Sequence, residues 1–487
     1  MNLGYMGVSI GNEKIQEFLE TSYFRSTVEM RLALVSPLPF IRDVSPQAIN
    51  TLEKGADRFL LAPPLGLLYL ATFLQNDYDV AVFDNQLHMG LSAEDIAQKI
   101  YTLRPDVIGI GVNFLPVMSR AKLIARKIKQ IDAEVTIVFG GNATTFTAYQ
   151  LIKEDYIDIV VLREGEINFS LCLDRISKVK PLSDVPGIVY KENDHVRRND
   201  FSGYIENLDT LPFPSYNFLE KPDRYVKHII SSRGCPFECF YCSTRSMWKK
   251  WRARSAQNVV HEMTSLIDES RPELIGFADD NFVVDRKRVV EIAELLKGNR
   301  TGIRWGFAAR IDMVDEELLK IVGEANCKRI FFGIESGSEA VLARLNRLYS
   351  VTKVEHKINK CIEYGILPTA SFMLGMPWET IEDVKATFNL MQRLKTSNIL
   401  LQVFTPLVGT EVFDYADRYD VKIERDVSEE ELFPFGSLVS HSTKYLSSDE
   451  IKRLWIEGQD IVLARYSESE DYRRQIDGPN VSNIQYP

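Results

Sequence analysis

Two runs of alternating strand and helix patterns, one in each half of the chain, constrain this sequence more than any other feature. From Arg31, the apolar segments "RLALVSPL", "DVAVFDN" (from Asp79), "DVIGIGVN" (Asp106), "EVTIVFGG" (Glu134) and "DIVVLREG" (Asp158) alternate with stretches such as "PPLGLLYLATFLQ" and "SRAKLIARKIKQI". Near-continuous Val, Ile and Leu strands separated by helices form a parallel sheet covered on both faces. The pattern predicts a doubly wound α/β domain over 31–185, with ligands beyond the carboxyl ends of its strands, after an N-terminal extension over 1–30. Paired Gly140 and Gly141 fall at one such strand end, where a tight turn alone would account for them. A hairpin, "GIVYKENDHVRRND", and a proline-punctuated linker follow over 186–225.

The alternation then resumes over 226–410 with "YVKHIISSRGC", "ELIGFADDNF", "IRWGFAARID", "KRIFFGIESG", "LPTASFMLGMP" and "NILLQVFTPLVGT". Six β/α units in succession predict a partial (β/α)6 barrel, with chemistry at the carboxyl ends of its strands. The polar segment 411–487 reads as a small helical C-terminal cap. At 487 residues the chain exceeds what a single core supports, which agrees with two domains. No apolar run reaches the roughly 18 residues of a membrane span, and the amino terminus lacks the pattern of a secretory signal. A net charge of −10 argues against a general nucleic-acid binder, which needs a basic face. The locally basic "RSMWKKWRARS" therefore reads as a solvated loop.

Three of the six cysteines crowd into "SSRGCPFECFYCST", after the first strand of the second run. Cys235, Cys239 and Cys242 have the spacing C-x3-C-x2-C, whereas Cys172, Cys327 and Cys361 are scattered and read as small buried hydrophobes. Clustered thiols in a chain without a signal point to metal chemistry in a reducing cytoplasm. A structural zinc site would need a fourth ligand, and His228 and His261 are poorly spaced for one. An iron–sulfur cluster fits the thiolates better, and a [4Fe–4S] cube with three of them leaves one iron open to a small chelating molecule. No H-E-x-x-H or triad-like pattern suggests hydrolytic chemistry.

The C-x3-C-x2-C loop, with Tyr241 before its last cysteine, resembles the hallmark of the radical S-adenosylmethionine enzymes. "FADDNF", "AARID", "FFGIESGSE" and "FMLGMPWET" are similar to that family's later motifs, in order. The resemblance implies that Cys235, Cys239 and Cys242 hold the cube and that S-adenosylmethionine chelates its open iron. One-electron reduction, from a flavodoxin- or ferredoxin-type donor, would then release methionine and a 5′-deoxyadenosyl radical that abstracts hydrogen from a substrate. It further implies that Asp280 and Arg310 lie near the methionine moiety, Glu335 and Ser336 near the ribose, and Tyr241 near the adenine. No side chain for the acid–base steps is assigned.

Across both halves the chain is similar to the subgroup with an N-terminal cobalamin-binding domain, through "PPLGLLYLATFL", "RPDVIGIG", "IVFGGNATTF" and "REGE". That resemblance implies Gly66, Gly140, Gly141 and Thr145 as corrinoid contacts. The D-x-H-x-x-G motif that supplies a lower histidine ligand elsewhere is absent, as is usual in the subgroup, and His88 has the wrong spacing and strand for it. Apolar Phe114, Leu115 and Val117, and Ala143, stand where the subgroup often has hydroxyls and histidine. The implied reaction is cobalamin-dependent methylation of a small-molecule or lipid-like substrate, with cobalamin-independent dehydration, rearrangement or cyclisation as the alternative.

Overall fold

The structure is a computed structural model that describes residues 30–37, 61–88, 91–347, 349–424 and 439–467. Most of the expected N-terminal extension and the end of the expected cap, 468–487, lie outside the described residues. The described residues form two compact units, one within 30–37 and 64–222 and the other within 61–63 and 223–467.

The first unit runs β1 (Arg31–Ser36), α1 (Leu65–Leu74), β2 (Asp79–Asp84), α2 (Ala93–Tyr101), β3 (Val107–Gly111), α3 (Met118–Ile131), β4 (Thr136–Gly140), α4 (Asn142–Leu151), β5 (Ile159–Val161), α5 (Gly165–Ser177), β6 (Ile188–Glu192) and β7 (His195–Arg198). The sheet order is β2-β1-β3-β4-β5-β6-β7, with the first five strands parallel. Successive side chains of a strand point to opposite faces, so an all-apolar strand serves two cores. In β1, Leu32 and Leu34 pack with Val138, Phe169 and Leu173. Ala33 and Val35 pack on the other face with Ile96, Ile124 and Phe139. The hairpin expected over 186–225 forms, but it belongs to this sheet: β6 pairs antiparallel with β5, and β7 with β6.

The second unit begins with β8 (Lys227–Ile229), β9 (Ser232–Arg233), α6 (Ser243–Trp248), β10 (Arg252–Ala253) and α7 (Ala256–Ser270). It continues through β11 (Leu274–Phe277), α8 (Arg286–Gly298), β12 (Arg304–Arg310), α9 (Glu316–Glu324), β13 (Cys327–Glu335), α10 (Glu339–Arg344), α11 (Val351–Glu363), β14 (Leu367–Leu374), α12 (Ile381–Arg393) and β15 (Ile399–Val403). Six parallel strands lie in the order β15-β14-β13-β12-β11-β8, the partial barrel that the pattern predicts. Each helix from α7 to α12 starts on a Ser, Asp or Thr whose side chain accepts a first-turn N–H. These caps stop each strand-to-helix loop at a fixed point and so fix the strand ends where a site forms. Below them, Phe277, Phe282, Trp305 and Phe307 pack as a buried aromatic core, with the Trp305 indole N–H donating to the Ala325 carbonyl at 2.8 Å.

The remaining elements are α13 (Glu411–Asp414), β16 (Val421–Ile423), β17 (His441–Thr443) and α14 (Ser448–Ser467). The expected small helical cap has its long helix in α14 and, in addition, an antiparallel ribbon of β16 and β17. Helix α14 supplies the helix that follows β15. Gly458 lets it approach so closely that a Cβ there would stand 2.2 Å from Leu401 and 2.9 Å from Phe388. Gln459 Nε2 donates to the Leu401 carbonyl at 2.9 Å.

Candidate active site

The cysteine loop leaves β8 and is tied down by two adjacent carboxylates beyond β11. Buried Asp279 accepts from the Ser231 amide (2.7 Å), the Ser231 hydroxyl (2.6 Å) and the Ser232 hydroxyl (2.6 Å). Asp280 accepts from the Gly234 amide at 3.1 Å and the Thr244 hydroxyl at 2.9 Å, one on each side of the cysteines. Gly234 has φ +89°, and a Cβ there would lie 2.5 Å from the Lys250 carbonyl oxygen, so the turn requires glycine. Within the loop the Cys242 amide donates to the Cys239 carbonyl at 3.0 Å.

Cys235, Cys239 and Cys242 are half-buried, whereas Cys172, Cys327 and Cys361 are fully buried in packing positions, as expected. Burial pushes the Cys235 thiol up to about 11, with Asp280 and the other two thiols adding to the effect. Burial also raises Cys242, against the hydrogen bonds of Thr244. Three thiolates crowded beside a carboxylate are stable when bound metal offsets their charge, and iron in a cube does so. Among the described residues no three His, Cys, Asp or Glu side chains close around a single point, as a mononuclear zinc site would require. A cube asks only that each thiolate reach its own iron. The donor set fits that group.

Glu335 ends β13 at a register shift, in a left-handed conformation (φ +72°) that is uncommon for a residue with a side chain. Gly333 makes room for it, because a Cβ there would stand 2.8 Å from Glu335 Oε1. The buried carboxylate accepts from Arg347 Nη2 at 2.7 Å and from the Tyr241 hydroxyl at 3.3 Å, and Arg347 Nη2 also donates to the Tyr241 oxygen at 3.1 Å. Burial raises the pKa of Glu335, and Arg347 opposes that shift. Burial by itself would lower Arg347, but Glu335 and Tyr241 outweigh it and keep it cationic. The structure therefore joins Tyr241 and Glu335, two residues that motif resemblance assigns to neighbouring parts of one nucleoside.

Ser336 does not join them. It is fully buried, its hydroxyl lies 3.2 Å from that of Thr387, and it accepts the Ser338 amide at 3.1 Å, so it shapes the turn. Arg310, at the end of β12, stacks 3.9 Å over the Phe237 ring of the cysteine loop and places Nη1 4.0 Å from Cys239 Sγ. Both oxygens of Asp312 clamp it, at 3.1 and 2.7 Å.

Four residues to which the motif reading gives no role complete the surroundings: Asp279, Asp312 and Glu379, which lie inside its motifs, and Arg347, which does not. Glu379 is buried after β14, where Oε2 accepts the amides of Gly375 (2.6 Å) and Met376 (3.2 Å), and burial pushes its carboxyl up to about 8. The Gly375 carbonyl lies 2.9 Å from Nε2 of buried His441 on β17. Phe240, between two of the cysteines, stacks on Tyr419 with ring centroids 4.7 Å apart, and its carbonyl accepts the Val412 amide at 3.1 Å. The C-terminal segment thus holds the cysteine loop directly.

In the first unit the order β2-β1-β3-β4-β5 places the topological switch at β1 and β3. Gly141 has φ +113°, and a Cβ there would stand 2.6 Å from the Val112 carbonyl oxygen, so the turn after β4 abuts the end of β3. Thr145 donates to the Gly141 carbonyl at 3.0 Å and accepts the Arg163 amide at 2.9 Å, which ties the β4 and β5 ends together. The Gly140 carbonyl accepts the Val112 amide at 2.7 Å. A Cβ at Gly66 or Gly140 would meet nothing within 4 Å. The backbone at Gly140, at the sheet's carboxyl end, is thus open to close approach by a large flat ligand, and the residues fit a corrinoid. His88 is engaged elsewhere, stacked on Phe83 and 3.2 Å from Glu220.

The fold and the thiol-bearing strand-end loop together define a radical S-adenosylmethionine enzyme fused to a corrinoid-binding α/β domain. The Radical SAM superfamily profile matches residues 229–391, and the B12 binding domain profile matches residues 55–173. The chain belongs to the Radical SAM superfamily, in the branch that carries a B12 binding domain, and its cofactors are a [4Fe–4S] cluster, S-adenosylmethionine and cobalamin. It is 33% identical over 362 residues to an uncharacterized methyltransferase of Pyrococcus horikoshii, covering 73% of this chain and 78% of that one. It is 27% identical to the anaerobic magnesium-protoporphyrin IX monomethyl ester cyclase of Rubrivivax gelatinosus, covering 74% of this chain and 67% of that one. Its fold is similar to that of the radical S-adenosylmethionine methyltransferase TsrM from Kitasatospora setae, solved with cobalamin and a [4Fe–4S] cluster. The TM-score is 0.67 at 17% identity, over 90% of this chain and 89% of that one. Among the described residues no helix is long and apolar enough to cross a membrane.

Proposed function

We propose that this protein is a cobalamin-dependent radical methyltransferase of a small-molecule or lipid-like substrate. One observation carries the reading: a C-x3-C-x2-C loop at the carboxyl end of a parallel barrel occurs in one chain with a B12 binding domain. When bound, the cube and S-adenosylmethionine supply the 5′-deoxyadenosyl radical and the corrinoid supplies the methyl group. The chain's own residues position and exclude. Asp279 and Asp280 fix the path of the cysteine loop, so that Cys235, Cys239 and Cys242 present thiolates as the cube's ligands. Tyr241 and the Glu335–Arg347 pair form the wall suited to a nucleoside, with the Glu335 carboxylate as acceptor for ribose hydroxyls. Gly140, Gly141 and Thr145 shape the strand-end crevice for the corrinoid. Reducing equivalents come from a flavodoxin- or ferredoxin-type donor in the cytoplasm.

The cyclase relatives favour a second reading, in which the radical drives cyclisation, rearrangement or dehydration with no methyl transfer. Products distinguish the two. Radical methylation consumes two S-adenosylmethionine molecules, one as the radical source and one as the methyl source, so 5′-deoxyadenosine and S-adenosylhomocysteine should accumulate in roughly equal amounts. Mass spectrometry of reactions with candidate substrates follows both. Substrate-dependent 5′-deoxyadenosine without S-adenosylhomocysteine above background sinks the methyltransferase reading in favour of the second.

A further inference from the structure

We infer that Arg310, clamped by Asp312, is a fixed cation that raises the reduction potential of the cluster, rather than a grip on the methionine group of S-adenosylmethionine. The inference rests on the radical reading above and concerns how this chain makes its cube reducible.

The geometry assigns each part of the guanidinium a partner. Its Nε–Nη2 edge, the fork that would clasp a free carboxylate, is taken by both oxygens of Asp312. Its flat face lies 3.9 Å over Phe237. Nη1 is turned to Cys239 Sγ, 4.0 Å away. The side chain is only 11% exposed, so water screens its charge poorly. Asp312 keeps its own charge: burial pushes its carboxyl up, but the hydrogen bond and charge of Arg310 more than reverse that. The two residues are neighbours by construction. Arg310 is the last residue of β12 and Asp312 follows two positions on, in the turn that leaves the strand.

A cation and an N–H donor beside a cluster thiolate act on one quantity in particular. One electron from an external one-electron reductant adds a negative charge to the cube without making or breaking a bond. Nearby positive charge and hydrogen bonds to the sulfurs stabilise the added charge and so raise the potential. Asp312 does not touch the thiol. It is a positioning residue that aims the guanidinium and offsets part of its charge. The two therefore have opposite electrostatic effects on the cluster although they form one structural unit, and that opposition separates tuning from mere support.

The test uses the full chain, anaerobically reconstituted without S-adenosylmethionine, with iron assayed first. The electron paramagnetic resonance amplitude of the reduced cluster is then read at a series of set potentials. Arg310→Gln should lower the ratio of reduced to oxidised cluster at least tenfold at a fixed potential, equivalent to a shift of about 59 mV for a one-electron couple. Asp312→Asn should raise the ratio, and Arg310→Lys should fall between wild type and Arg310→Gln. Where Arg310→Gln does not retain iron, Arg310→Lys and Asp312→Asn carry the test through their opposite signs. An unchanged midpoint in Arg310→Gln at full iron content overturns the inference, as does a shift of both variants in one direction. Weaker S-adenosylmethionine binding with no shift in its absence would return Arg310 to the methionine group. A wild-type protein that takes up no cluster would instead overturn the radical reading itself.

Discussion

Replacing Arg347 by alanine should expose what the Glu335 wall costs to build. The substitution strands a carboxylate in a protein interior and leaves it the hydrogen bond of the Tyr241 hydroxyl. At an effective dielectric near 20, unit charges 2.7 Å apart attract by roughly 6 kcal/mol, and desolvation of both partners offsets part of that. Breaking one side of a buried pair removes the attraction and leaves the desolvation, so a loss of about 3–5 kcal/mol is expected at pH 8. The loss should depend on pH. Burial already raises the folded pKa of Glu335, and without Arg347 it rises further. Between the unfolded value, about 4.3, and that raised value the folded state binds a proton that the unfolded state has released, so stability falls as pH rises. The deficit of Arg347→Ala should therefore be small near pH 5 and large at pH 8. The double variant Arg347→Met, Glu335→Gln should recover most of it, because no unpaired charge remains. Urea unfolding followed by tryptophan fluorescence isolates the relevant unit, since Trp248, Trp251, Trp305, Trp378 and Trp455, all five of the chain's tryptophans, lie beyond Asp223. A deficit below about 1 kcal/mol at pH 8, or one that does not change between pH 5 and pH 8, would refute the reasoning.

Two further outcomes follow from the thiols and from Glu379. After anaerobic reconstitution the wild type should hold about four irons per chain, and Cys235→Ala, Cys239→Ala and Cys242→Ala should each lose them. Cys172→Ala, Cys327→Ala and Cys361→Ala should keep their iron; loss in any of these three contradicts the ligand assignment. Glu379, pushed up to about 8, is protonated in the folded state where the unfolded chain has ionised it, so it makes stability fall between roughly pH 4.5 and its folded value. Glu379→Gln should remove that slope, up to about 1.4 kcal/mol per pH unit, and equal slopes in the two proteins would contradict the assignment.

The inner parallel strands of both sheets were legible because they are buried on two faces, and a continuous Val/Ile/Leu run has few other uses; β7, exposed along its whole length, was legible only as part of a hairpin. The C-terminal segment was not, because α14 presents no clean apolar stripe. Ile456 and Leu463 are exposed on it, while its closest packing against Leu401 and Phe388 is made through Gly458, which carries no hydrophobic signal. The ribbon of β16 and β17 has three residues per strand, too few for periodicity to register. Glu335 and Ser336 illustrate the limit of a motif at the site. The left-handed turn at Glu335 separates the two side chains: Glu335 meets Arg347 and Tyr241, and Ser336 meets Thr387 and the Ser338 amide. Asp312 could have been found by proximity alone, since it stands two positions from Arg310 in the turn that leaves β12 and carries the opposite charge. Arg347 could not, because it returns to Glu335 from beyond α10, where spacing carries no information.

The cysteine loop itself shows why a cluster motif is short although the cluster site is large. Three thiols in eight positions specify the ligands, but their placement comes from distant parts of the chain: Asp279 and Asp280 beyond β11, Arg310 at the end of β12, and Val412 and Tyr419 after β15. Each contact restrains a different point of the loop. Serines 231 and 232 fix its start, Gly234 and Thr244 its two shoulders, Phe237 one face and Phe240 its crest. A loop held by short-range contacts alone would leave the spacing of the three thiols loosely set. Holding it from several strand ends ties that spacing to a barrel whose strands are already paired. The cluster's position is therefore a property of the whole second unit, including the segment from Glu411 to Ser467 that the sequence alone presents as an appendage.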